Sequence, residues 1–355
     1  MLTAALLLAS VPAPAVNVPA LSQQFLAWQP GEIRCDGQAI TDATMRRPDI
    51  ALAVTDPQRV RSIAYRFAVD DTGRPHSITR EGDAFVPFGQ DIGPALAASR
   101  FPAGAKRAAC TVRYTPQFAS LEQAPIADLA AYSIFPAGPK LPKAGWDRLG
   151  AVGNCRDRPR PAPLLRAFPD FSKVAATPGV RDWSLVAFDT DADGRPVDAR
   201  VAHGTGNADL DAAAVDAVRA SRFTGGARTG CLYPYWRAAG RLTAPDKPDE
   251  DQIRPADTRC PAKVEWATRP NSSYPPAYRQ RAIEGWAILS FDAAPWGEMG
   301  NIKVLDAQPS ADFGQQAIQI LRSGRVAPSA QGATGCVETV KFKMPDHYGL
   351  LAEED

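Results

Sequence analysis

Three aspartates at alternate positions precede a glycine in Phe188-Asp-Thr-Asp-Ala-Asp-Gly-Arg-Pro196, and carboxylates so spaced could bind calcium. An EF-hand loop begins in this way and needs a bidentate Glu at its twelfth position. Counted from Asp189, that position holds Arg200, a cation. The flanking residues alternate as strands do and lack helical spacing. The stretch therefore predicts a turn between two strands, since Asp and Gly tolerate left-handed conformations, and calcium binding is the alternative.

Residue types that catalyse reactions are present, but not in the arrangements that catalysis requires. The chain has no Gly-x-Ser-x-Gly, no His-Glu-x-x-His and no phosphate-binding glycine loop. His203-Gly-Thr-Gly206 is similar to part of an oxyanion loop, but no nucleophile pairs with it. His76, His203 and His347 lie at unrelated positions and no Cys-x-x-Cys occurs, so zinc is not expected. We predict no catalytic residues, no cofactor and no metal.

The glycine turn has two counterparts elsewhere, which indicates an internal repeat. A Phe lies six residues before a Gly in each copy: Phe67 and Gly73, Phe188 and Gly194, Phe291 and Gly297. An arginine follows the glycine after 27 or 28 residues, at Arg100, Arg222 and Arg325. Apolar residues at helical spacing lie between, for example Leu210, Ala214, Ala217 and Val218. The aspartate triplet occurs in one copy only, so calcium binding is not what the repeat preserves.

The six cysteines follow the same repeat. The intervals within the three copies are 75, 76 and 76 residues, for Cys35 and Cys110, Cys155 and Cys231, and Cys260 and Cys336. Six cysteines allow fifteen pairings, and one early and one late cysteine per copy select these three. Free core thiols and a metal site are the alternatives. Disulfides persist outside the cytosol, so this pairing indicates a secreted protein.

The N-terminus supports secretion. An apolar run from Leu2 to Val11 precedes the small-residue pattern Ala13-Pro-Ala15, which predicts a signal peptide at residues 1–15. The usual basic residue before the run is missing, since the first one is Arg34. The run is too short to cross a bilayer, which takes ~20 residues, so we expect no stable membrane anchor. Lys and Arg number 40 against 39 Asp and Glu, which leaves no charge field for nucleic acid or an anionic membrane.

The repeat divides the chain into domains. We expect repeats at residues 26–118, 148–242 and 258–346, with linkers at 119–147 and 243–257 and a tail at 347–355; the linkers are rich in proline, and the second also in charge. The predicted class is α+β, with three tandem two-layer modules. Each module has a small antiparallel sheet packed with one or two helices, and one disulfide.

The third repeat also carries a resemblance. It reads Tyr274-Pro275-Pro-Ala277, then Glu284-Gly285-Trp-Ala-Ile-Leu-Ser-Phe291, Gly297, a helix from about Asp312 to Arg322, Gly324-Arg-Val-Ala-Pro328 and a last strand. This order resembles the C-terminal domain of the TonB family, the energy transducer of the Gram-negative cell envelope. Phe188, Asp193-Gly194 and Arg222-Phe223 carry the likeness in repeat two, and Gly73 and Ser99 to Ala103 in repeat one.

The resemblance implies a module that binds proteins or peptides. In the family, an extended segment of an outer-membrane receptor pairs with an edge strand of the domain. We therefore expect a periplasmic protein linked to TonB-dependent transport, with a structural or scaffolding role in the envelope as the alternative. The candidate partner-binding residues are Tyr274, Pro275, Trp296, Val337, Thr339 and Lys341. Trp183, Trp286 and Trp296 are expected to be core or turn residues rather than a ligand cage, and Trp296, beside Gly297, is expected to be the most exposed of the three.

Overall fold

The computed structural model describes residues 23–254, 258–261 and 264–345. The predicted signal peptide at 1–15 and the predicted tail at 347–355 lie outside these residues. Within the described ranges, every helix is too short or too polar to cross a bilayer.

Strands and helices are numbered here in chain order. Residues 23–120 form β1 (Gln24–Pro30), β2 (Ile33–Cys35), β3 (Gln38–Ile40), β4 (Ala51–Ala53), a 3-10 helix (Pro57–Arg59), β5 (Ile63–Val69), β6 (Pro75–Arg80), α1 (Ile92–Ala98) and β7 (Arg107–Ser120). Residues 121–242 form α2 (Ile126–Ile134), α3 (Lys143–Leu149), β8 (Pro163–Leu165), β9 (Asp182–Thr190), β10 (Pro196–Gly204), α4 (Ala208–Ala220), β11 (Arg222–Phe223) and β12 (Arg228–Arg237). Residues 243–345 form α5 (Glu250–Ile253), β13 (Trp266–Thr268), α6 (Pro276–Gln280), β14 (Gly285–Ala293), β15 (Met299–Gln308), α7 (Ala311–Arg322), β16 (Arg325–Val326) and β17 (Ala333–Phe342).

The same arrangement of a hairpin, a helix and a third strand is found in three parts of the chain. We call β5, β6, α1 and β7 unit one; β9, β10, α4 and β12 unit two; and β14, β15, α7 and β17 unit three. The first strand of each unit is central and pairs antiparallel with the other two, giving the orders β6-β5-β7, β10-β9-β12 and β15-β14-β17. The predicted α+β class with small antiparallel sheets is confirmed.

Each turn glycine holds the hairpin of its unit against the segment that directly follows the helix, before the third strand begins. In unit three the carbonyl of Gly297 accepts a hydrogen bond from the N–H of Val326 at 3.0 Å. Gly297 has a φ of 90°, and an added Cβ would lie 2.0 Å from the Val326 carbonyl oxygen. Gly73 with Phe101, and Gly194 with Phe223, make the equivalent contact. The spacing of glycine and arginine in the sequence therefore reflects one repeated hydrogen bond.

The aspartates of the first motif build the turn of unit two. Asp191 Oδ1 accepts hydrogen bonds from the N–H groups of Asp193 and Arg195, at 2.9 and 2.8 Å. Asp70 Oδ1 does the same for Thr72 and Arg74 in unit one. Ser, Asn and Asp side chains commonly close turns in this way. Among the described residues, no three His, Cys, Asp or Glu side chains are grouped as a metal site would require.

Three disulfides tie the third strands to the segments that precede the units. They join Cys35 to Cys110, Cys155 to Cys231 and Cys260 to Cys336, which are the pairs that the spacing predicts. The described part of the chain has no free cysteine.

The cores of units one and three are continuous, which the prediction of three separate modules did not include. All seven residues of α1 are buried, so this helix packs on more than its own sheet. Tyr278 of α6 lies close to Gly93 of α1, where an added Cβ would be 2.8 Å from the tyrosine oxygen. One hydrophobic cluster accordingly contains Phe67, Leu96 and Phe313. Unit two has its own cluster around Phe188 and Leu210.

Residues 119–147, which we expected to form a linker, contain the two helices α2 and α3. Leu129 and Tyr132 of α2 are fully buried, and Tyr132 makes an edge contact with Phe25 of β1 at 5.3 Å. Their cluster also includes Trp183 of unit two. The prolines that suggested a linker lie between or just beside the helices, while the apolar residues of α2 require burial. The segment is therefore part of the folded structure rather than an extended connector.

Candidate protein-binding edge

Strand β17 forms one edge of the sheet of unit three. It pairs with β14, and Val337, Thr339 and Lys341 occupy alternate positions along it. The side chain of Val337 packs with Trp286 and Ile288 on the face away from α7. Lys341 is exposed, and Thr339 is half-buried. Three of the six candidate partner-binding residues are thus brought together on one strand.

The third strands of the three units have the same register. Cys110 lies opposite Phe67, Cys231 opposite Phe188 and Cys336 opposite Phe291. Three residues further along, Arg113 lies opposite Ala64, Pro234 opposite Leu185 and Thr339 opposite Ile288. The backbone orientation at Thr339 can therefore be inferred from its two counterparts, Arg113 and Pro234.

The counterparts determine in which direction the Thr339 backbone points. Pro234 has no N–H, and a paired strand accepts proline where the missing donor would face away from its neighbour. The carbonyl of Arg113 accepts a hydrogen bond of 2.8 Å from the N–H of Gly31, on the side away from β5. The N–H and C=O of Thr339 accordingly point away from β14. Those of Val337 and Lys341 do so as well, because the direction alternates along an antiparallel strand.

In unit one, strands of the chain itself lie along the equivalent edge. Strand β1 pairs antiparallel with β7 from Gln24 opposite Ser120 to Pro30 opposite Tyr114. Strand β2 continues the coverage, with Cys35 opposite Cys110. As a result β7 is the shared strand of a seven-stranded sheet. The edge of unit one is therefore built to accept an added antiparallel strand.

The start of β17 is held by side chains and by the segment before the unit. Asp292 Oδ1 accepts a hydrogen bond from the N–H of Gly335 at 2.8 Å, and its Oδ2 accepts one from Asn301 at 2.7 Å. The hydrogen bond from Asn301, which has the larger effect, and the one from the Gly335 N–H lower the pKa of Asp292 below its ordinary value of 3.8. The hydroxyl of Thr258 donates to the Gly335 carbonyl at 2.8 Å, and Arg259 bridges to Thr334.

Tyr274 and Pro275 lie inside unit three, beyond the other end of β17. The Tyr274 hydroxyl donates to the Ile283 carbonyl at 2.7 Å, and its ring packs edge-on against Phe313 and Phe342. Pro275 is buried and precedes α6. These two residues therefore orient α6 within the core.

Trp296 lies in the turn between β14 and β15, near the first residue of β17. It is 59% exposed, and its Nε1–H donates to Glu298 at 3.0 Å. Trp183 and Trp286 are buried, at 8% and 4% exposure, as expected. A ten-residue strand is about 30 Å long, so Trp296 and Tyr274 lie at opposite ends of the candidate edge.

Sequence reasoning did not identify an ionic network that joins the three units. Arg281, in the segment after α6, donates through Nε and Nη2 to the Asp91 carboxylate at 2.7 and 2.5 Å. Asp91 also accepts from the N–H of Asp49, whose carboxylate pairs with Arg181 of the unit two region. Burial by itself would lower the pKa of Arg281, but Asp91 raises it above its ordinary value, so the guanidinium stays charged. An isolated arginine carries no spacing signal by which the sequence could reveal this.

Comparison with known proteins finds similarity in the region of unit three. Residues 270–350 match the family model for the C-terminal domain of the Gram-negative bacterial TonB protein. Protein TonB of Klebsiella pneumoniae is 32% identical over 77 residues, which are 22% of this chain and 31% of that protein. The chain thus spans about a third of the length of this relative. The comparisons support a TonB C-terminal-like domain that contains the whole of unit three.

Proposed function

We propose that this chain is a periplasmic envelope protein whose third unit binds an extended segment of a protein partner along the outer edge of β17. The similarity of residues 270–350 to TonB supports an envelope role. The observation that carries the proposal is the pairing of β1 with the equivalent edge of unit one. The partner class that this similarity suggests is a segment of an outer-membrane receptor in TonB-dependent transport.

We also propose that the three units derive from one module, with the domain limits 26–118, 148–242 and 258–346. Equal strand order, equal register around the cysteines and the recurring glycine hydrogen bond support this relation. Because units one and three share a core, these two modules act within one folded body.

The partner strand would pair with the outward N–H and C=O groups along β17, which include those of Val337 and Lys341. By analogy with β1 on β7, it runs antiparallel to β17. Thr258 and Arg259, which pack beside the first residues of β17, would set the limit of the pairing at that end. Exposed Lys341 and Lys343 discourage pairing between two copies of the edge while leaving it open to a partner.

The experiment compares three variants of the full chain. Synthetic peptides from the N-terminal segments of outer-membrane receptors are titrated by fluorescence anisotropy, and melting temperatures are measured in parallel. Lys341→Pro should keep the fold, because the Lys341 N–H points away from β14, and should weaken binding about fivefold or more by removing an outward donor. Lys341→Ala keeps that donor and should bind like the parent.

Val340→Pro is the matched control for direction. Its N–H points toward β14, so this variant should lose stability, whether or not a peptide is present. A folded Lys341→Pro protein that binds a peptide as tightly as the parent does would exclude the edge as the binding site.

A scaffolding role is the second candidate function. The shared core of units one and three and the Arg281 network favour it, because both hold the units in fixed positions. A scaffold without partner-strand binding would bind none of the receptor peptides.

Export is tested separately. We propose that residues 1–15 are removed as a signal peptide, and mass spectrometry of the protein from a periplasmic fraction should find a new N-terminus near Ala15. Recovery of the protein from the cytosol with residues 1–15 intact would contradict the proposed location.

A further inference from the structure

A cavity of about 370 Å³ lies where the unit one region meets the unit two region. Its walls come from the segment 45–50, from α2, and from residues 180–183 and 203–205, with Arg281 also in the lining. It is distinct from the β17 edge, because these walls belong to other elements. Its volume falls within the range of small-molecule binding pockets.

The charged side chains of the lining are not balanced. Three of its four arginines pair with carboxylates: Arg47 with Asp128, Arg181 with Asp49 and Arg281 with Asp91. Arg46 is the fourth, and in the part of the chain that the structure describes no carboxylate pairs with it. Its Nε is buried without a hydrogen-bond partner, although such donors are normally satisfied. The walls therefore retain one positive charge, on the Arg46 guanidinium, that a ligand could engage.

The remaining surface of the cavity is largely aromatic and aliphatic. The rings of Tyr132, Phe135 and Trp183 line it, together with Val180 and Ile50. The Tyr132 hydroxyl already donates to the Pro139 carbonyl at 2.6 Å, and the Arg181 guanidinium lies 4.5 Å from the centre of the Phe135 ring. Phe135 is half-buried, so its ring offers apolar contact area to a ligand, whereas the rings of Tyr132 and Trp183 are buried.

We propose that the cavity binds a small organic monocarboxylate with an apolar body, whose carboxylate accepts hydrogen bonds from the Arg46 guanidinium and whose body packs against Phe135. A guanidinium matches the geometry of a carboxylate, and a single excess charge suits a monoanion better than a phosphate dianion. The surroundings of Arg46 are also cationic. The pKa of the nearby Arg100 is lowered, mainly by burial and then by the positive charges of Arg74 and Arg46.

The test is isothermal titration of the full chain with 4-phenylbutyrate and with its uncharged amide. We expect saturable binding of the carboxylate and binding of the amide that is about tenfold weaker or more, since charge-assisted hydrogen bonds are the stronger ones. The Arg46→Gln variant should bind 4-phenylbutyrate more weakly than the parent does by the same factor. Arg61→Gln removes the same charge from an exposed arginine outside the lining and should bind like the parent.

Melting temperatures of both variants check that the fold is intact; since the Arg46 guanidinium has no partner in the described structure, its removal should leave stability unchanged. A peptide that ends in phenylalanine, with a free or an amidated C-terminus, distinguishes a protein terminus from a small molecule. Binding of the free-terminus peptide without binding of phenylbutyrate would overturn the small-molecule assignment. Equal affinity for acid and amide, unchanged affinity in Arg46→Gln, or no saturable binding would overturn the site.

Discussion

Units one and three contain the same edge strand with different neighbours. Arg113 of β7 and Thr339 of β17 have the same register to their central strands, and both strands carry a disulfide three residues earlier. In unit one, β1 and β2 lie along the outer side, and β7 extends to 14 residues, whereas β17 has ten. This edge therefore accepts a further strand without a change in the register between the third strand and the central strand.

Removal of a disulfide should cause the largest loss in the free energy of unfolding, and this loss should be equal in units one and three. The Cys35–Cys110 and Cys260–Cys336 bonds close loops of 75 and 76 residues, so each should contribute about 4 kcal/mol to the free energy of unfolding in the chain-entropy model. Double Cys→Ser variants are compared by urea unfolding. A much smaller loss in unit one would mean that β2 holds its strand without the disulfide, which would break the equivalence.

Loss of the buried cation that joins the two units should come next. Arg281→Ala leaves the Asp91 carboxylate buried without its partner and should lower the free energy of unfolding by about 3 kcal/mol or more. The parent should unfold in a single transition, because one cluster spans both units. Exposed Arg322 is the control, and Arg322→Ala should be near neutral. Two separate transitions in the parent would show that the units are energetically independent.

The parts of the fold that the sequence revealed are those that recur. Cysteine intervals and the interval from Gly297 to Arg325 were visible because the same contact is made in each unit. The added strands β1 and β2 pair with the edge strand of unit one alone among the described residues, so no repeated interval could indicate them. The helix α2 was hidden by the nearby prolines, although Leu129 and Tyr132 have helical spacing.

The sequence predicts that the candidate edge is a strand, but it does not predict which of its backbone N–H and C=O groups point outward. Whether the amide of Thr339 faces inward or outward depends on pairing, and the sequence gives no register by itself. The structure aligns Thr339 with Pro234, and this alignment decides the direction. The resemblance predicts that Tyr274 is a recognition residue. In the structure its ring packs against Phe313 and Phe342, and the sequence motif does not show this tertiary packing.

Substitution of a turn glycine should have an intermediate effect in both units. Gly297→Ala and Gly73→Ala each place a Cβ about 2 Å from a carbonyl oxygen, at 2.0 and 2.1 Å, besides requiring a positive φ. Each should lower the free energy of unfolding by about 2 kcal/mol or more. Gly37 has a φ of 85° but no atom within 4 Å of an added Cβ, so Gly37→Ala should cost only about 1 kcal/mol. Equal losses at the three positions would show that the carbonyl contact has no effect.

The smallest change in the free energy of unfolding is expected for the carboxylates that hold the first residues of β7 and β17. The residue before the second cysteine donates its N–H to Asp36 in unit one, through Ala109 at 3.1 Å, and to Asp292 in unit three, through Gly335 at 2.8 Å. Each hydrogen bond should contribute about 1 kcal/mol at neutral pH, because such bonds are modest and these groups are partly exposed. Asp36→Ala and Asp292→Ala should therefore cost similar amounts in urea unfolding, with Asp42→Ala, an exposed aspartate, as the control.

The pH dependence of the Asp292 contribution has a definite sign. The folded protein lowers the pKa of Asp292 below the ordinary value of 3.8, so the unfolded chain binds the proton more readily. The stabilisation is then fully present above about pH 5 and is lost as the pH falls through the folded pKa, below 3.8. The difference in unfolding free energy between the parent and Asp292→Ala should shrink over this range, while Asp42→Ala stays near the parent. A difference that is the same at pH 6 and pH 3 would mean that the charge of Asp292 does not hold the start of β17, and the strand start would then depend on Thr258 and the disulfide.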